Sequence, residues 1–320
     1  MDLQDLQARA RRNEPLGKHT TSRIGGPADL FVEARSSEEL AALVQRADEA
    51  QLPCLVLGSG ANILISDAGV RGLVIMNRGK DVKYSITAIN ARVEAESGVG
   101  LVMLARDCIE RGLSGLEWAI GVPGTVGGAV VGNAGAHGTE IASNLYMAKV
   151  LPRGGAAEYW TARQLAFSYR TSALKRYALA DRPVVLNALF DLKRDHRTNL
   201  ERRAADFNAR RKASQPPGAS IGSMFKNPPN DFAGRLIEAC GLKGTRIGGA
   251  MISDKHANFF VNMGGARATD VLDLLELARA RVLREFHVQM ELEIELLGEW
   301  GDAHDAQYAV HEASDGNTSA

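Results

Sequence analysis

The sequence predicts an α+β protein built as two domains, the second of them the smaller. Three observations carry this. Helix-period and strand-period stretches alternate near the start and give way to a run of strands. A charged stretch, RTNLERRAADFNARRKAS (197–214), is followed by QPPGASIGS, a Pro/Gly/Ser break of the kind found between domains. The chain has 320 residues, and at about 150 residues per domain that length suits two units.

In chain order, residues 2–12 read as a short polar helix and DLFVEA (29–34) as a strand. Ser36 opens a helix with Glu39 three residues on, the spacing of a capping box, and Leu40, Leu43, Val44 and Ala47 form its apolar stripe. PCLVLG (53–58) and GLVIM (72–76) are short buried strands, so the beginning of the chain is expected to be a small β-α-β-β unit. VKYSITAINARVEAES (82–97) alternates as a hairpin does, and 99–111 reads as helix. Residues 112–138 are Gly-rich with little regular pattern. YMAKVLP, AEYWTA and RPVVLNALFDL then read as strands, completing a first domain expected over 16–195 in two parts, about 16–78 and 79–195. A linking helix over 196–215 leads to a second domain, 216–300. There a helix is expected near 231–240, a strand at ANFFVN (257–262) and a helix over 269–285 with its stripe at Val271, Leu274, Leu275, Ala278 and Val282. MELEIELLGEW (290–300) is expected to be the closing strand. Residues 301–320 hold four acids and no Lys or Arg, and are expected to be a disordered tail.

Composition excludes several function classes. Lys plus Arg and Asp plus Glu are 38 each, so the formal charge is zero, which argues against a nucleic-acid binder working by bulk charge. At 45% hydrophobic residues there is apolar surface enough to offset chain entropy. Cys54, Cys108 and Cys240 lie far apart in apolar contexts and make neither a disulfide framework nor a metal spacing. They read as buried thiols of a reducing compartment, so a cytoplasmic location is expected. The N-terminal stretch lacks the apolar core of a secretion signal, and no run of about 18 apolar residues occurs. No membrane insertion, no nucleic-acid partner and no metal are expected, and the protein is expected to act as a monomer.

Glycine is the compositional outlier, with 33 residues. Gly58-Ser59-Gly60-Ala61-Asn62 follows a buried strand but fails the dinucleotide fingerprint, because Ile63 stands at the sixth position and no helix pattern follows. What remains is a turn of small residues whose successive N–H groups can form an anion-binding concavity; a plain tight turn accounts for it equally well. The second cluster, Gly121-Val122-Pro123-Gly124-Thr125-Val126-Gly127-Gly128-Ala129, is not a Walker loop, since no Gly-Lys-Ser/Thr follows. It suits backbone wrapped around a pyrophosphate, or else a buried Gly-rich crossover. Together the two clusters point to a dinucleotide, and the missing nicotinamide-type fingerprint points to a flavin held by another fold.

Ser22-Arg23-Ile24-Gly25-Gly26-Pro27-Ala28, LGSGANILISD and GVPGTVGGAVVGNAGAHG resemble the flavin domain of the UDP-N-acetylenolpyruvoylglucosamine reductase (MurB) family, over about residues 16–300. The resemblance implies a vanillyl-alcohol oxidase/p-cresol methylhydroxylase-type FAD-binding domain plus a smaller α+β substrate-binding domain. It implies FAD held non-covalently by Gly58, Ser59, Gly60, Ala61, Asn62, Gly121, Gly124, Thr125, Gly127 and Gly128. NADPH is the implied co-substrate, in reduction of UDP-N-acetylglucosamine enolpyruvate to UDP-N-acetylmuramate for peptidoglycan. No extra Tyr-bearing loop is evident, so the chain is similar to the type II branch.

Phe167-Ser168-Tyr169-Arg170-Thr171-Ser172 is a polar island between strands, and the planar fork of an Arg is the natural partner of a carboxylate. It resembles the family's YR-S segment, which implies that Arg170 contacts the enolpyruvyl carboxylate, with Tyr169 beside it. Ser220-Ile221-Gly222-Ser223-Met224-Phe225-Lys226-Asn227-Pro228 resembles the GS-FKNP segment. That likeness implies Ser223 as proton donor to the substrate carbon, Asn227 as a substrate contact and Lys226 as a neighbour of the diphosphate. Glu291, Glu293 and Glu295 share one strand face by their period of two, which a solvated edge also explains; the resemblance singles out Glu295, in the active site with Arg170. Gly248-Gly249-Ala250 and the stretch Ser253 to Asn258 extend the likeness, and His256 is given no catalytic role. Gly132, Ile221 and Met224 depart from the family's usual residues. Two rivals remain open: an oxidase of the same fold, for which His137 is the only credible covalent flavin anchor, and a nucleotide-binding module without catalysis.

Overall fold

In the computed structural model, which describes residue 6 and residues 8–301, the first helical residues give way early to a strand. Leu6, Ala8 and Arg9 are helical, but Arg11 and Arg12 already belong to β1 (Arg11–Pro15), where they pair with Phe31 and Leu30. The helix expected over 2–12 therefore ends earlier, and residues 1–5 and 7 lie outside the described residues. β2 (Pro27–Ala34) leads through α1 (Ser37–Glu49) to β3 (Cys54–Leu57). β4 (Ile63–Ile65) lies off that sheet, and β5 (Val70–Asn77) returns to its middle, giving the order β1-β2-β5-β3. β2 and β3 both run parallel to β5, and α1 supplies the crossover that parallel strands require.

α1 starts where its capping residues place it. Ser36 Oγ accepts from the Glu39 N–H at 3.2 Å, while the Glu39 carboxylate reaches past Ser36 to the Arg35 N–H at 2.8 Å. Its expected stripe of Leu40, Leu43, Val44 and Ala47 is fully buried, packed with Leu30, Val32, Leu73 and Ile75 of the sheet.

The next layer is a six-stranded antiparallel sheet. It contains β6 (Val82–Ile86), β7 (Asn90–Glu96), β8 (Leu113–Ser114), β11 (Leu145–Leu151), β12 (Glu158–Thr161) and β13 (Val184–Arg194). The strand order is β12-β11-β13-β7-β6, with β8 on β13. α2 (Leu101–Glu110) buries Leu101, Leu104, Ala105, Cys108 and Ile109 against it. The Gly-rich stretch between them is more regular than its composition shows: it holds the short helix α3 (Val126–Val131) and the small ribbon of β9 (Gly135–Ala136) and β10 (Thr139–Glu140). Thr125 caps α3, and the contacts that order this segment come from distant strands rather than from local period.

α4 (Arg197–Ser214) leads to the last sheet. That sheet comprises β14 (Ser220–Ser223), β15 (Arg246–Ile247), β16 (Ala250–Ile252) and β17 (Phe259–Asn262) in the order β14-β17-β16-β15. α5 (Ala233–Ala239) and α6 (Ala268–Phe286) cover it, with Val271, Leu274, Leu275, Ala278 and Val282 buried. Met224 and Ile221, which depart from the family pattern, are both buried in this core. The segment expected as one closing strand over 290–300 changes partner midway. Leu292 bridges Phe225 within the last domain, and only β18 (Glu295–Leu297) is a regular strand, running parallel to β4 of the first part of the chain. Of the tail expected to be disordered, 302–320 lie outside the described residues.

The C-terminal part is thereby tied to the N-terminal one. Ile24 and Leu64 join the core of the last sheet. Asp67 caps α6 across the boundary, accepting from the Ala268 N–H at 2.9 Å and the Thr269 N–H at 3.1 Å. Among the described residues no helix is long and apolar enough to cross a membrane, and no group of His, Cys, Asp and Glu could hold a metal. Asp67→Ala should leave those two N–H groups without their carboxylate and lower unfolding stability by about 1 kcal/mol, read as an earlier urea midpoint. An unmoved midpoint would show that the cap contributes nothing.

Candidate functional site

A cavity of about 700 Å³ opens where the three layers meet. Its walls are the turn after β3, the segment around α3, the start of β13, the end of α4, β14 and the segment carrying Glu293 and Glu295. Gly58, Ser59, Gly60, Ala61, Asn62, Gly124, Thr125, Gly127 and Gly128 all line it.

Two glycines here are required by close approach. A Cβ on Gly58 would stand 2.5 Å from Thr125 Oγ1, so the two glycine clusters touch only because that position is bare. Gly60 has φ +64, and a Cβ there would strike the His19 carbonyl. Ser59 Oγ is buried without a hydrogen-bond partner among the described residues, a vacancy of the kind a ligand oxygen or nitrogen fills. Bare backbone facing an unpartnered hydroxyl fits the pyrophosphate of a dinucleotide. Gly121 does not line the cavity; at φ +82 it clears the path of Arg211, whose Cδ would be 3.0 Å from a Cβ there.

Asn62 ties the site together. In the left-handed region at φ 61, a conformation Asn tolerates better than most residues, it donates its N–H to the Ile221 carbonyl at 3.2 Å. Its Nδ2 donates to the Glu293 carbonyl at 3.0 Å, and its own carbonyl accepts from the Glu295 N–H at 3.1 Å. On the other side, the Lys226 N–H donates to the Glu291 carbonyl and the Glu293 N–H to the Met224 carbonyl, each at 2.9 Å. The segment after Ser223 thus runs beside the one bearing the carboxylates, and Ser223 faces the same cavity as Glu293 and Glu295.

Arg170 arrives from the second layer on a turn closed by reciprocal 3.1 Å bonds between Ser168 and Thr171. The turn is held in place by Asn133, fully buried, which donates to the Ser168 carbonyl at 3.0 Å, and by Ser172 Oγ, which donates to the Val131 carbonyl at 2.7 Å. Arg170 itself has φ 58, a strained position for a residue of this size and one that recurs at functional sites.

The structure therefore brings Arg170, Ser223, Glu293 and Glu295 to one cavity, but not in the expected pairing. Arg170 Nε stands 3.0 Å from Glu293 Oε1, whereas Glu295 takes Arg182 at 2.7 Å and Lys175 at 3.4 Å. The period of two put both carboxylates on one face; which cation each one meets is set by the fold of 168–182. The electrostatics separate them further. Burial pushes the Glu293 carboxyl up, against the pull of Arg170, Lys175 and Lys226. Burial also pushes Glu295 up, but the charges of Lys175 and Arg182 outweigh it and hold its pKa below the usual carboxylate range. Two carboxyls driven apart by environment are a signature of divided roles.

Three expected substrate contacts lie elsewhere. Lys226 pairs with Glu291 at 3.1 Å, Asn227 Oδ1 accepts from the Ala233 N–H at 3.1 Å at the start of α5, and Tyr169 is exposed with its ring 5.4 Å from the Arg170 guanidinium. None of the three lines the cavity. Sequence reasoning missed Arg211. It lines the cavity half-buried, burial works against its charge, and among the described residues it has no carboxylate partner. Its signal was present in the Arg210-Arg211 pair at the end of α4, which reads locally as one more solvated charge run. His137 also lines the cavity, stacked on Phe207 at 4.5 Å; burial first, then Arg210 and Arg211, lowers its pKa. His256 lies outside the cavity, its Nδ1 accepting from the Asn258 N–H at 3.2 Å. Gly132 also lines the cavity.

Comparison with known proteins agrees with this geometry. Residues 28–157 match the FAD binding domain family, and residues 213–297 match the family described as UDP-N-acetylenolpyruvoylglucosamine reductase, C-terminal domain. The chain is 43% identical over 296 residues to the UDP-N-acetylenolpyruvoylglucosamine reductase of Chloroflexus aggregans, covering 92% of this chain and 99% of that one. It is 41% identical over 290 residues to the enzyme of the same name from Bacillus pumilus, covering 90% and 93%. The solved structure of UDP-N-acetylenolpyruvylglucosamine reductase (MurB) from Thermus caldophilus superposes with a TM-score of 0.76 at 38% identity, over 90% of this chain and 99% of that one. The expected α+β class with its flavin domain stands.

The two carboxyls make opposite forecasts for stability. A raised folded pKa favours the protonated form, so the contribution of Glu293 is present below the unfolded value and lost as pH rises through the folded one. Glu293→Gln should accordingly raise the melting temperature at neutral pH, a gain that vanishes near about pH 4. A lowered folded pKa stabilises above the unfolded value and is lost as pH falls through the folded one. Glu295→Gln strands Lys175 and Arg182, and should cost about 2–4 kcal/mol at neutral pH, fading in acid. Shifts of the same sign in the two variants would contradict the assigned environments.

Proposed function

The chain belongs to the UDP-N-acetylenolpyruvoylglucosamine reductase family, and from that membership we propose which of its residues carry the reaction. The protein is a flavoprotein oxidoreductase that reduces UDP-N-acetylglucosamine enolpyruvate to UDP-N-acetylmuramate in peptidoglycan precursor synthesis, with FAD as cofactor and NADPH as reductant. The observation that carries the residue assignments is the meeting of Arg170, Ser223 and Glu293 at the cavity that the two glycine clusters line.

When bound, FAD would supply the hydride for the β-carbon of the vinyl ether, with NADPH as reductant. Gly58 to Asn62, Gly124, Thr125, Gly127 and Gly128 would hold it, the bare backbone facing the pyrophosphate and Ser59 Oγ offering one further polar contact. Charge then builds at the substrate α-carbon and spreads into its carboxylate. Arg170, fixed on its strained turn, faces that carboxylate, and a preorganised cation at the point of developing charge is often the largest catalytic contribution. Ser223 donates the proton to the α-carbon; a hydroxyl is acid enough only beside a strong base such as this enolate. Glu293 takes the role expected of Glu295. Because burial favours its protonated form, it stabilises the enolate by donating a hydrogen bond. Arg211 replaces Lys226 as the partner of a substrate phosphate, since it is half-buried at the cavity wall and has no carboxylate partner among the described residues.

In this reading the flavin rests on a domain of residues 16–195, joined by 196–215 to a substrate-binding domain of residues 216–300. In the same reading the protein acts as a monomer. The three cysteines are free and buried, which supports work in the reducing cytoplasm.

Ser223→Ala should leave flavin bleaching by NADPH nearly intact and slow the return of colour with the enolpyruvyl sugar nucleotide by about 1,000-fold or more, in stopped-flow absorbance. Equal loss in both half-reactions would make Ser223 structural. Arg211→Ala should raise KM for the sugar nucleotide about 10- to 100-fold with FAD content unchanged. An apoprotein would instead assign Arg211 to the flavin.

A further inference from the structure

Two carboxylates spaced two residues apart meet three cations from one segment at the cavity, and the sharing is unequal. Arg170 stands on Glu293, while Glu295 places Oε1 3.4 Å from Lys175 and Oε2 2.7 Å from Arg182. The mechanism uses Arg170, Ser223 and Glu293 and gives no part to the other three, although all of them line the cavity. Their side chains are only 15–22% exposed. A carboxylate and two cations withdrawn from water are an expensive way to fill space, and apolar side chains would do that better.

Resting on the reading above, the geometry points to Glu295 as a positioning residue that holds Lys175 away from Glu293 and so reserves the Arg170–Glu293 pair for the substrate. Every charged group facing Glu293 fits this. Arg170 comes from the 168–171 turn, Lys175 from the single turn Ala173–Arg176, and Lys226 from the segment running beside it. Lys226 is taken by Glu291, and Lys175 and Arg182 are taken by Glu295. Arg182, pairing at the shorter distance, anchors the carboxylate, and Lys175 is the cation it restrains. Without Glu295, Lys175 has a flexible four-carbon stem and, at the same cavity, the other carboxylate two residues away along the chain. Lys175 already pulls on Glu293 from its present position; closer contact would fix Glu293 as a carboxylate and remove the proton it offers to the enolate.

The test reads the carboxyl directly. Holoenzyme labelled with 13C at the Glu side-chain carboxyl is titrated by NMR, with the Glu293 signal assigned by its loss in Glu293→Gln. Glu295→Gln should lower the Glu293 midpoint, and Lys175→Met should raise it. In the Glu295→Gln background, Lys175→Met should raise it by on the order of one unit more than in the wild type, the effect of one charge drawn a few ångströms closer. Equal Lys175→Met shifts in the two backgrounds would overturn the proposal, because Glu295 would then act by its charge alone. Should Glu295→Gln fail to fold, Glu295→Asp, whose shorter arm releases Lys175 while keeping the charge, must also lower the midpoint; an unmoved midpoint there overturns the proposal too. The titration gives its answer whether or not the sugar nucleotide turns over, so it is separable from the functional reading. In pre-reduced enzyme, the pH profile of flavin reoxidation by substrate should follow the same shifts; a uniform loss of rate at every pH would leave Glu295 a purely structural role.

Discussion

The site depends on one residue held in an unfavourable conformation. Asn62 takes its left-handed backbone and spends its N–H, its carbonyl and its side-chain NH2 on two other segments: Ile221 on one, Glu293 and Glu295 on the other. A residue without a short amide side chain would meet the steric cost of that conformation and leave the Glu293 carbonyl without its donor. In the same turn Gly58 lies against Thr125. The grip on the cofactor and the placement of the acid are therefore one geometric decision. Neither can shift by an ångström without the other, and a shift of that size is what orientation-dependent chemistry tolerates least.

Around this knot the charges are arranged for contrast. The cavity gathers Arg170, Lys175, Arg182 and Arg211 against Glu293 and Glu295. That leaves it cationic overall, which suits a substrate carrying both a carboxylate and a diphosphate. Within that field the two carboxyls are opposites: burial raises the pKa of one, and two neighbouring cations lower that of the other. A spacing of two residues gives two like groups nearly the same place and different surroundings.

Local pattern made much of the fold legible. The linking helix begins and ends at Arg197 and Ser214, where its charged run does, and the stripes of α1 and α6 are buried as their spacing requires. Both glycine clusters and the segments bearing Arg170, Ser223 and the two glutamates were visible. Three things were not. The closing segment changes partner midway, and alternation says that a segment is extended, never which strand it joins. Glu293 and Glu295 share a face, so only the distant cations could tell them apart. Lys226 and Asn227 sit in a segment rich in functional residues, yet their side chains turn to Glu291 and to the start of α5, a matter of rotamer that sequence does not carry.

The parallel pairing of β18 with β4 also sets an order of events. A chain emerging from the ribosome at about 5–20 residues per second exposes its cofactor-gripping turn long before the strand that lies against it has been made. For that interval Asn62 lacks the backbone groups of Glu293 and Glu295 that it will bond. Final shaping of the gripping turn therefore waits until a segment 231 residues further along has been made.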